Sequence, residues 1–228
     1  KQNLDSILNQ SYEKFRVIYL DDASEDTTGL LVEKYIATHP RGNKVTLTKR
    51  TKRQYSLKNI YDAYHMCHDD EVGFVVDGDD WLAHPNVLNL LNEVYQDSNV
   101  WMTYGQYEGF PGNTKGCCNQ LPHNIIATNA YRSHWWATSH LRTCYAWLFK
   151  RIQTTDLMID GKFFTISGDQ AYMFPLLEMA GFHSRFINKV LYIYNLKNPI
   201  NDHKRDLSYQ EHCAKVIRAR ARYSPIKV

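Results

Sequence analysis

From residue 15 onward, two spacings of apolar positions alternate along the chain. Phe15-Arg-Val-Ile-Tyr-Leu20 is β-branched and aromatic, ends in Asp21-Asp22, and predicts a strand. Ser24 and Asp26-Thr-Thr28 then supply a helix start, Leu31/Tyr35 and Val32/Ile36 recur at i,i+4, and His39-Pro-Arg-Gly42 supplies the stop. The unit returns in Lys44-Val-Thr-Leu-Thr48, a basic loop (Lys49, Arg50, Lys52, Arg53) and helical spacing from Leu57 to Cys67 through Ile60 and Tyr64. Val72 to Val76 is the third strand, and its unbroken apolarity fits burial on both faces, as in a parallel sheet. Pro85 opens a further helix with Val87, Leu90, Leu91 and Val94 inward. Strands alternating with helices predict an α/β fold.

Beyond residue 100 the spacing is less regular. Val100 to Tyr104 predicts a strand, residues 105–129 are rich in loop formers, Ala171 to Ala180 predicts a helix ended by Gly181, Phe186 to Tyr194 a strand, and Leu207 to Arg222 a helix. Leu4, Ile7 and Leu8 fall at helical spacing at the start. A domain opening in a helix is expected to have an upstream strand.

The third strand ends in Asp77-Gly-Asp79-Asp80, three carboxylates within four positions. Such a group repels itself and calls for a cation or several donors. Ligands of open α/β sheets bind beyond the carboxyl ends of the strands, so Asp21-Asp22 and Asp77 to Asp80 are expected to face one crevice. Oxygen ligands favour Mg²⁺ or Mn²⁺ over zinc.

Composition narrows the partners. With 228 residues one domain is expected, and a net charge of +3 is too mild to point to nucleic acid or a membrane surface. Cys67, Cys117, Cys118, Cys144 and Cys213 contain no C-x-x-C pair and are odd in number, which predicts reduced thiols and a soluble, cytoplasmic setting. No apolar run reaches the length that spans a bilayer.

Leu8-Asn-Gln-Ser-Tyr12, Leu20-Asp-Asp-Ala-Ser24, Val76-Asp-Gly-Asp-Asp-Trp81 and Gly168-Asp-Gln before a helix ending Glu178-Met-Ala-Gly181 occur in the order expected of a family 2 glycosyltransferase, which the chain resembles over roughly residues 4–200. The resemblance implies a single GT-A domain with a Rossmann-like, mostly parallel central sheet flanked by helices. Residues 1–100 would form the nucleotide-sugar half and residues 101–228 the acceptor half. The family's first strand, with a turn that helps hold the base, is missing from this sequence, and Arg53-Gln-Tyr-Ser-Leu-Lys-Asn59 departs from the Gly and Ala-Arg-Asn that the family often carries.

By the same resemblance, Asp79 and Asp77 would hold Mn²⁺ or Mg²⁺ against the diphosphate of a UDP-sugar, with Asp77 also in reach of the ribose and His203 a further ligand. Asp21 or Asp22 would accept hydrogen bonds from the base or ribose, with helix capping as the structural alternative, and Arg53 and Lys58 would face the phosphates. Asp169 would be the general base of an inverting transfer, removing the proton of an acceptor hydroxyl on a glycan or protein. Trp135, Trp136 and Arg142, with His140 nearby, would line the acceptor side.

Competing readings remain. An apolar strand followed by Asp-x-Asp also describes a haloacid-dehalogenase-type phosphatase with Asp77 as nucleophile and Asp79 as acid, although its motif stands on the first strand. A nucleotide-sugar pyrophosphorylase would want a Gly-rich loop near its start, and a non-catalytic nucleotide-sugar or glycan-binding protein would need only the binding half.

Overall fold

The computed structural model describes residues 1–198 and 206–227. The elements run α1 (Gln2–Leu8), β1 (Val17–Asp21), α2 (Thr28–Thr38), β2 (Val45–Lys49), α3 (Tyr55–His65), β3 (Val72–Phe74), β4 (Trp81–Leu82), α4 (Val87–Val94), β5 (Met102–Phe110), β6 (Thr114–Lys115), α5 (His123–Ala127), β7 (Thr143–Tyr145), α6 (Ala146–Phe149), β8 (Met158–Ile159), β9 (Lys162–Phe163), α7 (Gly168–Ala180), β10 (Ser184–Asn195) and α8 (Leu207–Ala219). The predicted elements are present, with boundaries moved by one to a few residues, and the architecture is α/β with helices packed around a curled sheet.

Strand pairing is more mixed than the mostly parallel sheet that the sequence predicts. β1 and β2 pair in parallel, as do β5 and β10, whereas the main sheet runs β3-β7-β5-β10-β4 with β3–β7, β7–β5 and β10–β4 antiparallel and β6 on the far end of β5. A parallel return needs a crossover helix over the sheet. Between β5 and β7 lie β6, the five residues of α5 and a 3₁₀ turn at Tyr131–Ser133, none a helix long enough to cross the sheet, and β7 comes back antiparallel. β5 runs to Phe110, through a stretch that reads as loop, because nearly its whole length is paired with β10. The small hairpin β8–β9 turns on Asp160-Gly161, whose φ values of 51° and 73° suit a tight two-residue turn.

Two apolar clusters hold these layers. One gathers Leu57, Ile60 and Tyr64 of α3, Met102 and Tyr104 of β5, Leu148 and Phe149 of α6, and most of α7. The other joins Ile7 of α1, Val87, Leu88 and Leu91 of α4, and Leu191 and Tyr192 of β10. α7 is buried continuously from Ala171 to Ala180, so it is a core helix rather than an amphipathic surface one. Its one buried charge, Glu178, is satisfied by Arg132, whose Nε and Nη2 donate to it at 2.5 and 2.8 Å, and by the Tyr223 N–H at 3.0 Å. Arg132 also donates to the Ile217 carbonyl, which ties α8 to the same point.

A cavity of about 660 Å³ separates β1 from β3, lined by Val17 to Leu20 on one side and Val72 to Val76 on the other. At its amino end Arg16 closes the gap: Nε and Nη2 donate to the two Glu71 oxygens at 2.7 Å each, and Nη2 donates to the Met66 carbonyl. Hydrogen bonds from Arg16 hold the Glu71 carboxyl down at about 2, below its ordinary 4.5. A depressed carboxyl pKa stabilises the fold above the unfolded value and loses that contribution as pH falls through the folded one. Because the pair is partly solvated, Glu71→Gln is expected to cost under about 1 kcal/mol at pH 7. Denaturant titrations of the two proteins should converge as pH drops from 4.5 towards about 2. A difference that persists in acid would remove the charge from the account.

Candidate active site

The acidic segment sits in the turn between β3 and β4 and is fixed from below by α1. The Asn3 side-chain amide donates to the carbonyls of Asp77 and Asp80, both at 2.9 Å, and Ser6 Oγ accepts from the Leu82 N–H at 3.0 Å. Gln10 extends the brace, donating to the His84 carbonyl and accepting from the Leu88 N–H. These contacts orient the turn so that its three carboxylates have different surroundings.

Asp80 is buried, accepting from the Tyr192 hydroxyl at 2.6 Å and the Asn195 N–H at 2.7 Å. Burial pushes its pKa up to about 7; those two hydrogen bonds oppose the rise, and the charges of Asp77 and Asp79 add to it. Asp80 is thus a buried support of the turn. Asp79 is half-buried and accepts from the Asn198 side-chain amide at 2.6 Å. Asp77 is also half-buried, with its N–H donating to the Tyr192 hydroxyl at 3.2 Å.

Asp169 stands in the first turn of α7. One of its oxygens accepts from the Gln170 N–H at 2.9 Å, and the other accepts from Arg142 Nη1 at 3.3 Å. Gly168 precedes it because a side chain there would meet Leu57 of α3, with a Cβ only 3.0 Å from the Leu57 Cβ. Arg142 is nearly buried. Burial opposes its charge, but Tyr172, Asp169, Asp77 and Tyr192 outweigh that and raise its pKa above the ordinary value. Arg142 is therefore a fixed positive charge that bonds Asp169 and is also acted on by the charge of Asp77.

His140 lies beside it, with both ring nitrogens 3.3 Å from Arg142 Nη2 and the ring stacked on Tyr192 at 4.2 Å. Burial first, then the Arg142 charge, push the His140 pKa well below its ordinary value, so the imidazole is neutral. Tyr107 and Tyr194 complete an aromatic wall, their rings 6.0 and 5.9 Å from His140.

The other predicted residues have different places. Asp21 ends β1, where it accepts from the Ser24 N–H at 3.2 Å and packs so tightly on α2 that a Cβ at Gly29 would lie 2.4 Å from its Oδ2. Asp22 accepts from the N–H groups of Gln54 and Tyr55 at 2.7 and 2.8 Å. It caps α3 from outside that helix and holds Tyr55 at φ +65°, a conformation costly to an L residue. Arg53 lies 5.1 Å over the Tyr55 ring, and Lys58 donates to both Asp62 oxygens at 2.5 and 2.7 Å. Trp135 is exposed, while Trp136 packs edge-on against Phe174 of the core. His203 lies outside the described residues.

Tyr192, Asn195 and Asn3 had no place in the sequence reading. The alternation Tyr192, Tyr194 on β10 is the signal that would have found the first, since period-two tyrosines put their hydroxyls on one face of a strand.

Among the described residues no group of three or more His, Cys, Asp and Glu is arranged to hold a metal ion. Asp77 and Asp79 still fit one of the hard cations, because Mg²⁺-type ions use one or two carboxylates and take their remaining ligands from water and substrate phosphates. Asp80, with each oxygen already accepting a strong hydrogen bond, fits that role least.

The glycosyl transferase family 2 profile matches the chain over residues 1–173. The chain belongs to this family, and the phosphatase and pyrophosphorylase readings fall with that assignment. Solved structures show the same fold. A mannosyltransferase, PcManGT from Pyrobaculum calidifontis in complex with GDP-Man and Mn²⁺, aligns with a TM-score of 0.63 at 20% identity, covering 97% of this chain and 61% of that one. Residues 1–349 of S. aureus TarS in complex with UDP align with a TM-score of 0.57 at 15% identity, covering 87% of this chain and 56% of that one. The chain thus spans a little over half the length of these structures. No curated protein matches it in sequence. Among the described residues no helix is long and apolar enough to cross a membrane.

The Asp22 contacts make a stability prediction. Removing a cap that satisfies two backbone donors should cost about 0.5–2 kcal/mol. Asp22→Ala is expected to lower the urea midpoint by that amount and Asp22→Asn, which keeps one acceptor, by less; an unchanged midpoint for the alanine variant would show that the α3 entrance holds itself.

Proposed function

We propose that the chain is an inverting glycosyltransferase that moves a sugar from a nucleotide donor, UDP-linked, onto a hydroxyl of a glycan or protein. The observation that carries this reading is Arg142, nearly buried and bonded to the candidate base Asp169, with the charge of Asp77 also acting on it. Family membership supports transfer chemistry, and the UDP and the GDP-Man with Mn²⁺ in the two related structures support a nucleotide donor and a divalent cation. On this reading residues 1–100 serve the donor and residues 101–228 the acceptor.

Asp79 and Asp77 would hold Mn²⁺ or Mg²⁺, which when bound supplies Lewis acidity to the leaving diphosphate. Asp169 takes the proton from the acceptor hydroxyl, aimed by Arg142 on one oxygen and by the Gln170 N–H on the other. Neutral His140, stacked on Tyr192, contributes shape to the pocket without adding a second positive charge beside the guanidinium. Trp135, exposed at the edge of the acceptor half, offers an aromatic face to a sugar. Arg53, above Tyr55, is a cation available to the donor phosphates on the β1–α3 side, whereas Lys58 is engaged by Asp62.

Two variants separate binding from chemistry. In calorimetric titrations of UDP with Mn²⁺, Asp79→Ala or chelation of the metal should weaken binding at least about tenfold, some 1.4 kcal/mol. Equal affinity in all three conditions would defeat the metal assignment. Asp169→Asn should bind UDP like the parent while release of UDP from its sugar falls by about 10²–10⁴-fold, the usual share of a general base. Full turnover in that variant would move the base elsewhere.

A further inference from the structure

Cys117 and Cys118 stand in the loop after β6, and no step of glycosyl transfer uses them. Their backbone is pinned on both sides: the Gly116 N–H donates to the Tyr107 carbonyl at 2.8 Å, Gln106 Nε2 donates to the Cys118 carbonyl at 2.8 Å, and the Asn119 N–H donates to the Ala137 carbonyl at 3.2 Å. Gly116 lies flat on the Tyr107 ring, since a Cβ there would come within 2.4 Å of a ring carbon. This seating leaves Cys117 exposed and Cys118 buried, with Cys118 Sγ accepting from the Ser139 N–H at 3.2 Å. Consecutive positions put the two side chains next to each other, with the Tyr107 ring beneath the loop at Gly116.

We propose that Cys117 and Cys118 form a redox-active vicinal dithiol that a hydroperoxide closes reversibly into a ring disulfide at the rim of the active site. The hydrogen bond from the Cys118 thiol, then that from Tyr107, hold the Cys117 thiol at about 6, against burial and the Asp169 charge, which act upward. Burial and the shared hydrogen bond raise the Cys118 thiol, which lies near Arg142. The exposed sulfur is therefore the one whose thiolate is favoured and which an oxidant can reach, and the buried sulfur is the neighbour that resolves its oxidation.

The step balances as follows. The Cys117 thiolate attacks an oxygen of ROOH, the O–O bond breaks, and the alkoxide leaves and is protonated to ROH; Cys117 becomes a sulfenic acid. The Cys118 sulfur then displaces that hydroxyl, which leaves as water with the Cys118 thiol proton, and the S–S bond forms. Two thiols lose two electrons and the peroxide gains them. Neighbouring Cα atoms stand about 3.8 Å apart, closer than the roughly 4.4–6.8 Å of ordinary disulfides, so the ring is strained and readily reduced. Closure takes Cys118 from Ser139 and shifts the loop seated on Tyr107, which belongs to the aromatic wall around His140. Oxidation therefore reports directly on the acceptor side of the pocket.

The test does not depend on transferase activity. Trypsin releases Gly116 to Arg132 as one peptide whose only cysteines are Cys117 and Cys118. After brief treatment of the folded chain with hydrogen peroxide and alkylation of remaining thiols, this peptide should appear unalkylated and lighter by two hydrogen atoms. Glutathione should restore two alkylatable thiols, and Cys117→Ser, an exposed position, should abolish the species. Stable oxygen adducts on the peptide, a disulfide linking it to another peptide, or two thiols that still alkylate fully after peroxide would each overturn the proposal.

Discussion

A guanidinium taken out of water is tolerated only where opposite charge and hydrogen-bond acceptors surround it, and Arg142 is nearly buried at the centre of this fold. Its placement constrains both sides of the pocket. Asp169 must come within reach from α7 and Asp77 from the β3–β4 turn, because between them they supply the negative charge that offsets burial. α7 in turn is buried all along its middle and cannot rotate without dismantling the main core, so Asp169 is held by the packing of that core.

The three neighbouring aspartates coexist because the fold gives them unequal environments. Asp80 is taken inside, raised by burial to about 7 and stitched to β10 by Tyr192 and Asn195. Asp77 and Asp79 remain half in water, where their charges cost less and a cation can reach them. The paired Asp21 and Asp22 divide similarly. Asp21 seals β1 against α2, and Asp22 secures the entrance to α3 and the strained Tyr55 next to Arg53. Adjacent carboxylates of one type therefore divide between support and exposure according to which side of the strand end they leave.

Long, regularly spaced elements were legible in the chain: β1, α2, β2, α3 and α4 follow from their apolar periods and stop signals. The length of β5 was not, since Gly105 and Gly109 weaken a strand locally and only the pairing with β10 stabilises them there. Nor was α7's start at Gly168, where helix and α3 approach too closely for a side chain. The Asp160-Gly161 hairpin carried a turn signal that a search for long elements passes over. Lys58 looked like a phosphate cation, yet on a helix its i+4 neighbour is Asp62, which engages it.

The sequence by itself determined the α/β class, the position of the acidic turn and the family, because these depend on local periodicity and on residue types in fixed order. Only the tertiary structure decided which carboxylate is buried, which caps a helix and which faces Arg142, and that Tyr192 of β10 serves the turn before β4 more than a hundred positions earlier. Those outcomes depend on desolvation and on hydrogen-bond partners brought together through space, and neither is written in the spacing along a chain.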